Sequence, residues 1–180
     1  MTDLCQATAQ RLGAAKVYAT GFQSDQFPAD GLLGMAYKSI SNYRANPVFQ
    51  TLVSQGQVST PVFSLYLAES GSELYIGGTN QNHYKGSFTY MPVTTPVRIH
   101  DDLRFSVDNK ILQGYWQGSF DGISVNGKTV VSRAGAIIDT GTTQVVGDTQ
   151  SVQAVYAQIP GSKDVGSGTW TSMFTTKLFR

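Results

Sequence analysis

Ala134-Gly135-Ala136-Ile137-Ile138-Asp139-Thr140-Gly141-Thr142-Thr143 sets an acid at the end of a short apolar run and directly before a glycine. Ala136, Ile137 and Ile138 read as a buried strand leading into Asp139. An acid there is partly shielded from water, which raises its pKa unless donors hold the charged form. The Gly141 amide and the Thr142 hydroxyl are placed to be those donors. Two readings stay open at this point. One is an Asx-type turn, in which Asp139 bonds backbone amides two residues on; the other is a chemically active carboxylate. The remaining acids, among them Asp25, Asp101, Asp102 and Asp108, lie among polar residues and read as solvated.

Outward from this stretch the signals are those of strands and turns. Asn126-Gly127, between Ile123-Ser124-Val125 and Thr129-Val130-Val131, is a strong two-residue hairpin signal. Tyr115 to Phe120 is a strand candidate before it. After the acid, Asp148 can cap a helix with Val152, Val155, Tyr156 and Ile159 on its inner face, stopped by Pro160-Gly161. Upstream, Pro61–Leu67 and Glu73–Gly77 read as a hairpin turned by Glu69-Ser70-Gly71-Ser72. A helix is expected before it, capped by Asn46, with Pro47 in its first turn, Val48, Phe49, Leu52 and Val53 at helical spacing, and Gly56 at its end. Gly31–Tyr37 is expected as a buried strand with tight backbone approach, Gly86–Val93 as a half-buried one, and Tyr18 as an ordinary strand residue. Ser167–Trp170 is strand-like and needs a pairing strand that the residues after it do not offer.

Composition narrows the function classes. With 180 residues the length prior is about one domain. Hydrophobic residues make up 41%, too many for a disordered chain. Charged residues are only 14% and Glu occurs only at Glu69 and Glu73, which disfavours long surface helices. A net charge of +1 with scattered Lys and Arg gives no reason to expect nucleic acid or an anionic membrane. No apolar run is long enough for a membrane span. Cys5 is the single cysteine, so no disulfide forms within the chain; it is expected as a small buried hydrophobe. With His83 and His100 the only histidines, a metal site is not expected. Met1–Ala15 has Asp3 early and no apolar core, and does not read as a secretory signal.

Several motifs, in order, carry a resemblance. Asp30-Gly31-Leu32-Leu33-Gly34-Met35-Ala36-Tyr37, Phe63–Leu67 with Glu73–Gly78, His83–Tyr90, Tyr115-Trp116 and Ala134–Thr143 resemble, in the same order, the segments of the pepsin-like aspartic peptidases. The look is fungal-type, and the likeness covers roughly residues 22–170. It implies a mainly β, pepsin-like acid protease β-barrel fold, partial: residues 1–90 as a remnant of the N-terminal lobe and inter-lobe strands, 91–170 as a partial C-terminal lobe with the catalytic loop, and 171–180 as a non-matching tail. It implies an aspartic-type endopeptidase acting on proteins or peptides, secreted or vacuolar, with no cofactor or metal. Asp139 would be one of two carboxylates that share a proton and hold the attacking water. Two acids about 3 Å apart cannot both ionise, and the aspartic-peptidase pair is itself the standard illustration of that repulsion. Thr142 would bond the outer carboxylate oxygen, Thr140 would reach a matching Thr across the lobe interface, and Gly141 would let the backbone approach the carboxylate.

The sequence departs from the family pattern in two places. The first Asp-Thr-Gly loop and the flap with its Tyr belong upstream of Asp30, where only residues 1–29 stand, and residues 171–180 do not match what should follow. Truncation or an altered reading frame would account for both. A lone Asp139 cannot form the pair, so little or no activity is expected of the isolated chain. A homodimer could supply a second Asp139, but the chain is long for that plan and has no flap candidate. A non-catalytic fold that binds peptide or a partner is the remaining alternative.

Overall fold

The computed structural model describes residues 5–21, 29–94 and 114–172. The chain divides into two compact units, one of Met1–Tyr90 with Val97–Tyr115 and one of Met91–Pro96 with Trp116–Arg180. The protein is mainly β. Among the described residues the strands pair as three antiparallel two-stranded ladders, and there are two short α-helices.

The first unit is built on α1 (Val48–Ser54), β1 (Phe63–Tyr66) and β2 (Glu73–Ile76). The helix begins one residue later than its Asn46 signal suggests. Pro47 is the N-cap, with φ −56° and ψ 156° and no side-chain cap bond, while the Asn46 carbonyl accepts Gln10 Nε2 at 3.0 Å. The fixed φ of proline suits the lead into a helix, and its side chain cannot accept a capping bond. The far end closes as a Schellman motif. Gly56, at φ +65°, donates its N–H to the Val53 carbonyl (3.1 Å), and Gln57 donates to that of Leu52 (2.9 Å). Phe49 and Leu52 are buried, and the Phe49 ring meets Phe63 of β1 edge-on at 4.8 Å. Val48 and Val53 flank this stripe, half-buried and exposed respectively. The hairpin pairs Phe63 with Ile76 through to Tyr66 with Glu73. At its tip the Ser72 hydroxyl accepts from Ala68 N (3.0 Å) and donates to Ala68 O (2.9 Å).

Four sequence expectations fail in or beside this unit. Gly31–Tyr37 forms no strand and is not buried: Leu32 and Leu33 are 82% and 58% exposed. Gly86–Val93 forms no strand either; Phe88 instead leans on Tyr84, with centroids 4.4 Å apart. Tyr18 lies outside any strand and is exposed. All three failures have one cause. Alternation and apolar runs describe a face, but a strand also needs a neighbour to bond along its length, and no ladder among the described residues includes these segments. Cys5 is exposed rather than buried, its thiol donating to the Gln57 carbonyl at 3.2 Å.

The second unit carries β3 (Gln117–Val125), β4 (Lys128–Ile137), α2 (Thr149–Tyr156), β5 (Lys163–Gly166) and β6 (Thr169–Thr171). Asn126 and Gly127 join β3 to β4 with φ 51° and 79°, both positive as a type I′ turn requires. The register runs from Val125↔Lys128 at the turn to Gln117↔Ile137 at the open end, with a bulge beside Ile123 and Ser124. At Gly122, φ 154°, a Cβ would stand 2.4 Å from the Val131 carbonyl oxygen, so only glycine lets the strands approach there. The α2 N-terminus is capped as expected: Asp148 Oδ1 accepts from Ser151 N at 2.9 Å. Val152, Val155, Tyr156 and Ile159 are half-buried, α2 lies against β3 and β4, and Tyr156 stacks on Trp170 with centroids 5.3 Å apart. Ser167-Gly168 is a turn rather than strand, with φ 53° and 73°. The partner of β6 is β5, which precedes it. No helix among the described residues is long and apolar enough to cross a membrane.

Candidate active site

The β3–β4 ladder delivers the acid. Its last rung pairs Gln117 with Ile137, and one further bond, from Ile138 N–H to the Trp116 carbonyl (2.9 Å), carries the pairing to the residue before Asp139. The chain then turns back on the carboxylate. Asp139 Oδ1 accepts from the Gly141 amide at 2.9 Å and Oδ2 accepts from the Thr142 hydroxyl at 2.6 Å. The Thr142 amide also faces the Asp139 carbonyl at 3.4 Å. One turn thus engages both oxygens of one carboxylate.

Each residue type has a reason to be there. A Cβ on Gly141 would lie 3.2 Å from Asp139 Oδ1, tighter than an ordinary contact; its absence keeps the amide close. Thr142 lies three residues after the acid, within reach of its Oδ2. Both donors favour the charged form. The Thr142 hydroxyl, then the Gly141 amide, hold the Asp139 carboxyl below the usual carboxylate range against a smaller opposing effect of desolvation.

The four residues singled out in the sequence, Asp139, Thr140, Gly141 and Thr142, fall in this one turn, and all four are exposed. That corrects the expected setting. The strand before the acid is not buried: Ile137 is 40% and Ile138 65% exposed. Apolar residues in a strand are shielded only where another layer covers them, and among the described residues the ladder around Asp139 is two strands wide. The donors therefore set the direction of the shift, and shielding is the smaller, opposing effect. Among the described residues no group of three His, Cys, Asp or Glu could hold a metal ion.

One residue of this region escaped the reading of the sequence. Gln117, on the last rung, is a buried polar side chain at 9% exposure. Its signal was available: an amide group placed between Trp116 and Gly118 in a strand opening where apolar residues are expected.

The family model described as eukaryotic aspartyl protease matches residues 4–173. The match begins well before the roughly residue-22 limit of the motif resemblance, so residues 4–21 are part of it. An aspartic protease of Phaffia rhodozyma is 42% identical over 158 residues, 87% of this chain and 34% of that protein. Pepsin A of Sus scrofa is 37% identical over 142 residues, 76% of this chain and 32% of the pepsin. Pepsin-2B of Gadus morhua is 35% identical over 161 residues, 87% of this chain and 44% of the relative. The chain spans about a third of the length of the first two of these relatives. A mainly β chain of this composition, matched by one family model over nearly its whole length, has a partial pepsin-like fold and belongs to the eukaryotic aspartyl protease family.

Proposed function

We propose that the chain is part of an aspartic endopeptidase and that Asp139 is one of the two carboxylates that activate water for attack on a peptide carbonyl. The observation that carries this reading is the turn itself, with Gly141 and Thr142 donating to opposite oxygens of Asp139 at 2.9 and 2.6 Å. Those bonds orient the carboxylate and favour its charged form, the form that takes a proton from water. Thr140, exposed beside it, would bond the matching Thr of a second loop. Substrates would be proteins or peptides, bound without metal or cofactor, in a secreted or vacuolar setting. Residues 1–90 would be the remnant of the N-terminal lobe, 91–170 part of the C-terminal lobe, and 171–180 a tail outside the pattern.

Asp-Thr-Gly occurs once in the chain. A shared proton needs two carboxylates, so the isolated chain is expected to show little or no peptidase activity. The test is acid peptidase activity of the purified chain, with and without a statine-type inhibitor, beside Asp139→Ala. No cleavage by either protein fits a lone half-site. Inhibitor-sensitive cleavage that disappears in Asp139→Ala would mean a second copy supplies the other carboxylate, and activity would then rise with protein concentration faster than linearly.

A second reading has an observation of its own. The bond from the Gly141 amide to Asp139 Oδ1, two residues back, is also that of a structural Asx turn. In that reading the fold binds a peptide or partner without cleaving it, and Asp139→Ala leaves binding intact.

A further inference from the structure

We propose that Gln117 is a positioning residue for Asp139, holding the open end of the β3–β4 ladder from which the acid-bearing turn departs. The inference rests on the proposed role of Asp139. Three features meet at Gln117. Its backbone forms the last rung, opposite Ile137, two residues before the acid. On the outer edge of β3 its carbonyl accepts from both the Thr94 amide (2.8 Å) and the Thr94 hydroxyl (3.3 Å). Its side chain is folded over Gly135, where a Cβ would come within 3.0 Å of Nε2. Gln117, Ser119, Gly135 and Ile137 share one face of the ladder by register, so the carboxamide occupies the space that the missing side chain at 135 leaves.

Fold stability alone does not account for an amide here. Gln117 is 9% exposed, and its Oε1 is buried without a hydrogen-bond partner among the described residues. An acceptor buried in that way opposes folding, and an apolar side chain of similar shape would be neutral or favourable. What the carboxamide offers is a flat, rigid group that fits over Gly135. A methionine of similar length is flexible and packs loosely. Loosening the last rung lets the turn drift away from the carboxylate and lengthens the bonds from Gly141 and Thr142.

This separates two quantities that a purely structural residue would move together. In Gln117→Met, measured on the full chain, the unfolding midpoint should stay equal or rise. The titration of Asp139, followed by NMR through the Gly141 amide that donates to it, should move upward by about half a pH unit, a factor of about three in proton affinity. Gly135→Ala, which crowds the carboxamide and creates no cavity, should move that titration the same way and serves as the test if Gln117→Met does not fold. An Asp139 titration unchanged in the folded variants overturns the proposal, and loss of the fold in both variants overturns it in favour of a purely structural role. The comparison with Asp139→Ala tests catalysis and the titration tests Gln117, so the two readings fail separately.

Discussion

Thr142 and Gly141 act on Asp139 through different atoms, and single substitutions separate them. Thr142→Ala removes the 2.6 Å bond to Oδ2, the first of the two causes that lower the Asp139 pKa. Its titration, followed by carboxyl-carbon NMR, is expected to move up toward the ordinary carboxylate value, about 3.9; Thr142→Ser should restore most of the depression. Gly141→Ala should shift it in the same direction and less, by crowding Oδ1 from 3.2 Å without deleting the amide. The sign of the linked pH effect follows. A carboxyl depressed in the folded state contributes stability above its unfolded pKa, and that contribution is lost as the pH falls through the folded value. Asp148 is also depressed, by the Ser151 hydroxyl and then the Ser151 amide at the start of α2. The chain should therefore lose stability on acidification below the ordinary carboxylate range. Asp139→Asn and Asp148→Asn should each flatten that fall in denaturation curves run from pH 6 to pH 2. Slopes unchanged in both variants would show that these bonds do not persist in solution.

Elements in this protein are decided by whether a local signal also finds a partner. The β3–β4 hairpin had both: Asn126-Gly127 permits the positive φ angles 51° and 79°, and alternation on either side supplies a ladder. Gly127→Ala should cost roughly 1–2 kcal/mol, the price of a left-handed residue with a Cβ, read as a shift in the chemical denaturation midpoint. Gly122→Ala should be worse, because its Cβ would meet backbone, the Val131 carbonyl oxygen at 2.4 Å. The helices were legible for the same reason, since Asp148 and Gly56 act within a few residues of themselves. The acid-bearing turn was legible because its donors sit two and three residues from Asp139. Gly31–Tyr37 and Gly86–Val93 were misread because a strand is a relation between segments, and nothing in Leu32, Leu33 or Phe88 states whether a neighbour will arrive. Gln117 was missed for a related reason. Its burial depends on Gly135, eighteen residues away and adjacent only once the register is known.

At the scale of the whole molecule the balance of burial is thin. Among the described residues the buried hydrophobics are Phe49 and Leu52, and no side chain falls below 2% exposure. Against them stand Leu32, Leu33, Ile138, Val145 and Val146, each more than half exposed, the last two at 98% and 80%. Leu52→Ala in such a core would be expected to cost about 2–5 kcal/mol. With so few buried side chains among the described residues there is little stability to lose, so this substitution should abolish cooperative unfolding and not merely lower its midpoint. The exposed side chains have a separate consequence. Apolar area in water favours association, and two-stranded ladders leave backbone edges open to further pairing. The purified chain should bind an apolar dye in its native buffer and self-associate with rising concentration. Ile138→Ser with Val145→Ser should reduce both effects if the region around the acid-bearing turn is the adhesive surface. Sedimentation velocity across a concentration series gives the answer: a monomer at every concentration, with no dye binding, would mean that these side chains are covered in solution and that the chain buries them by a packing of its own.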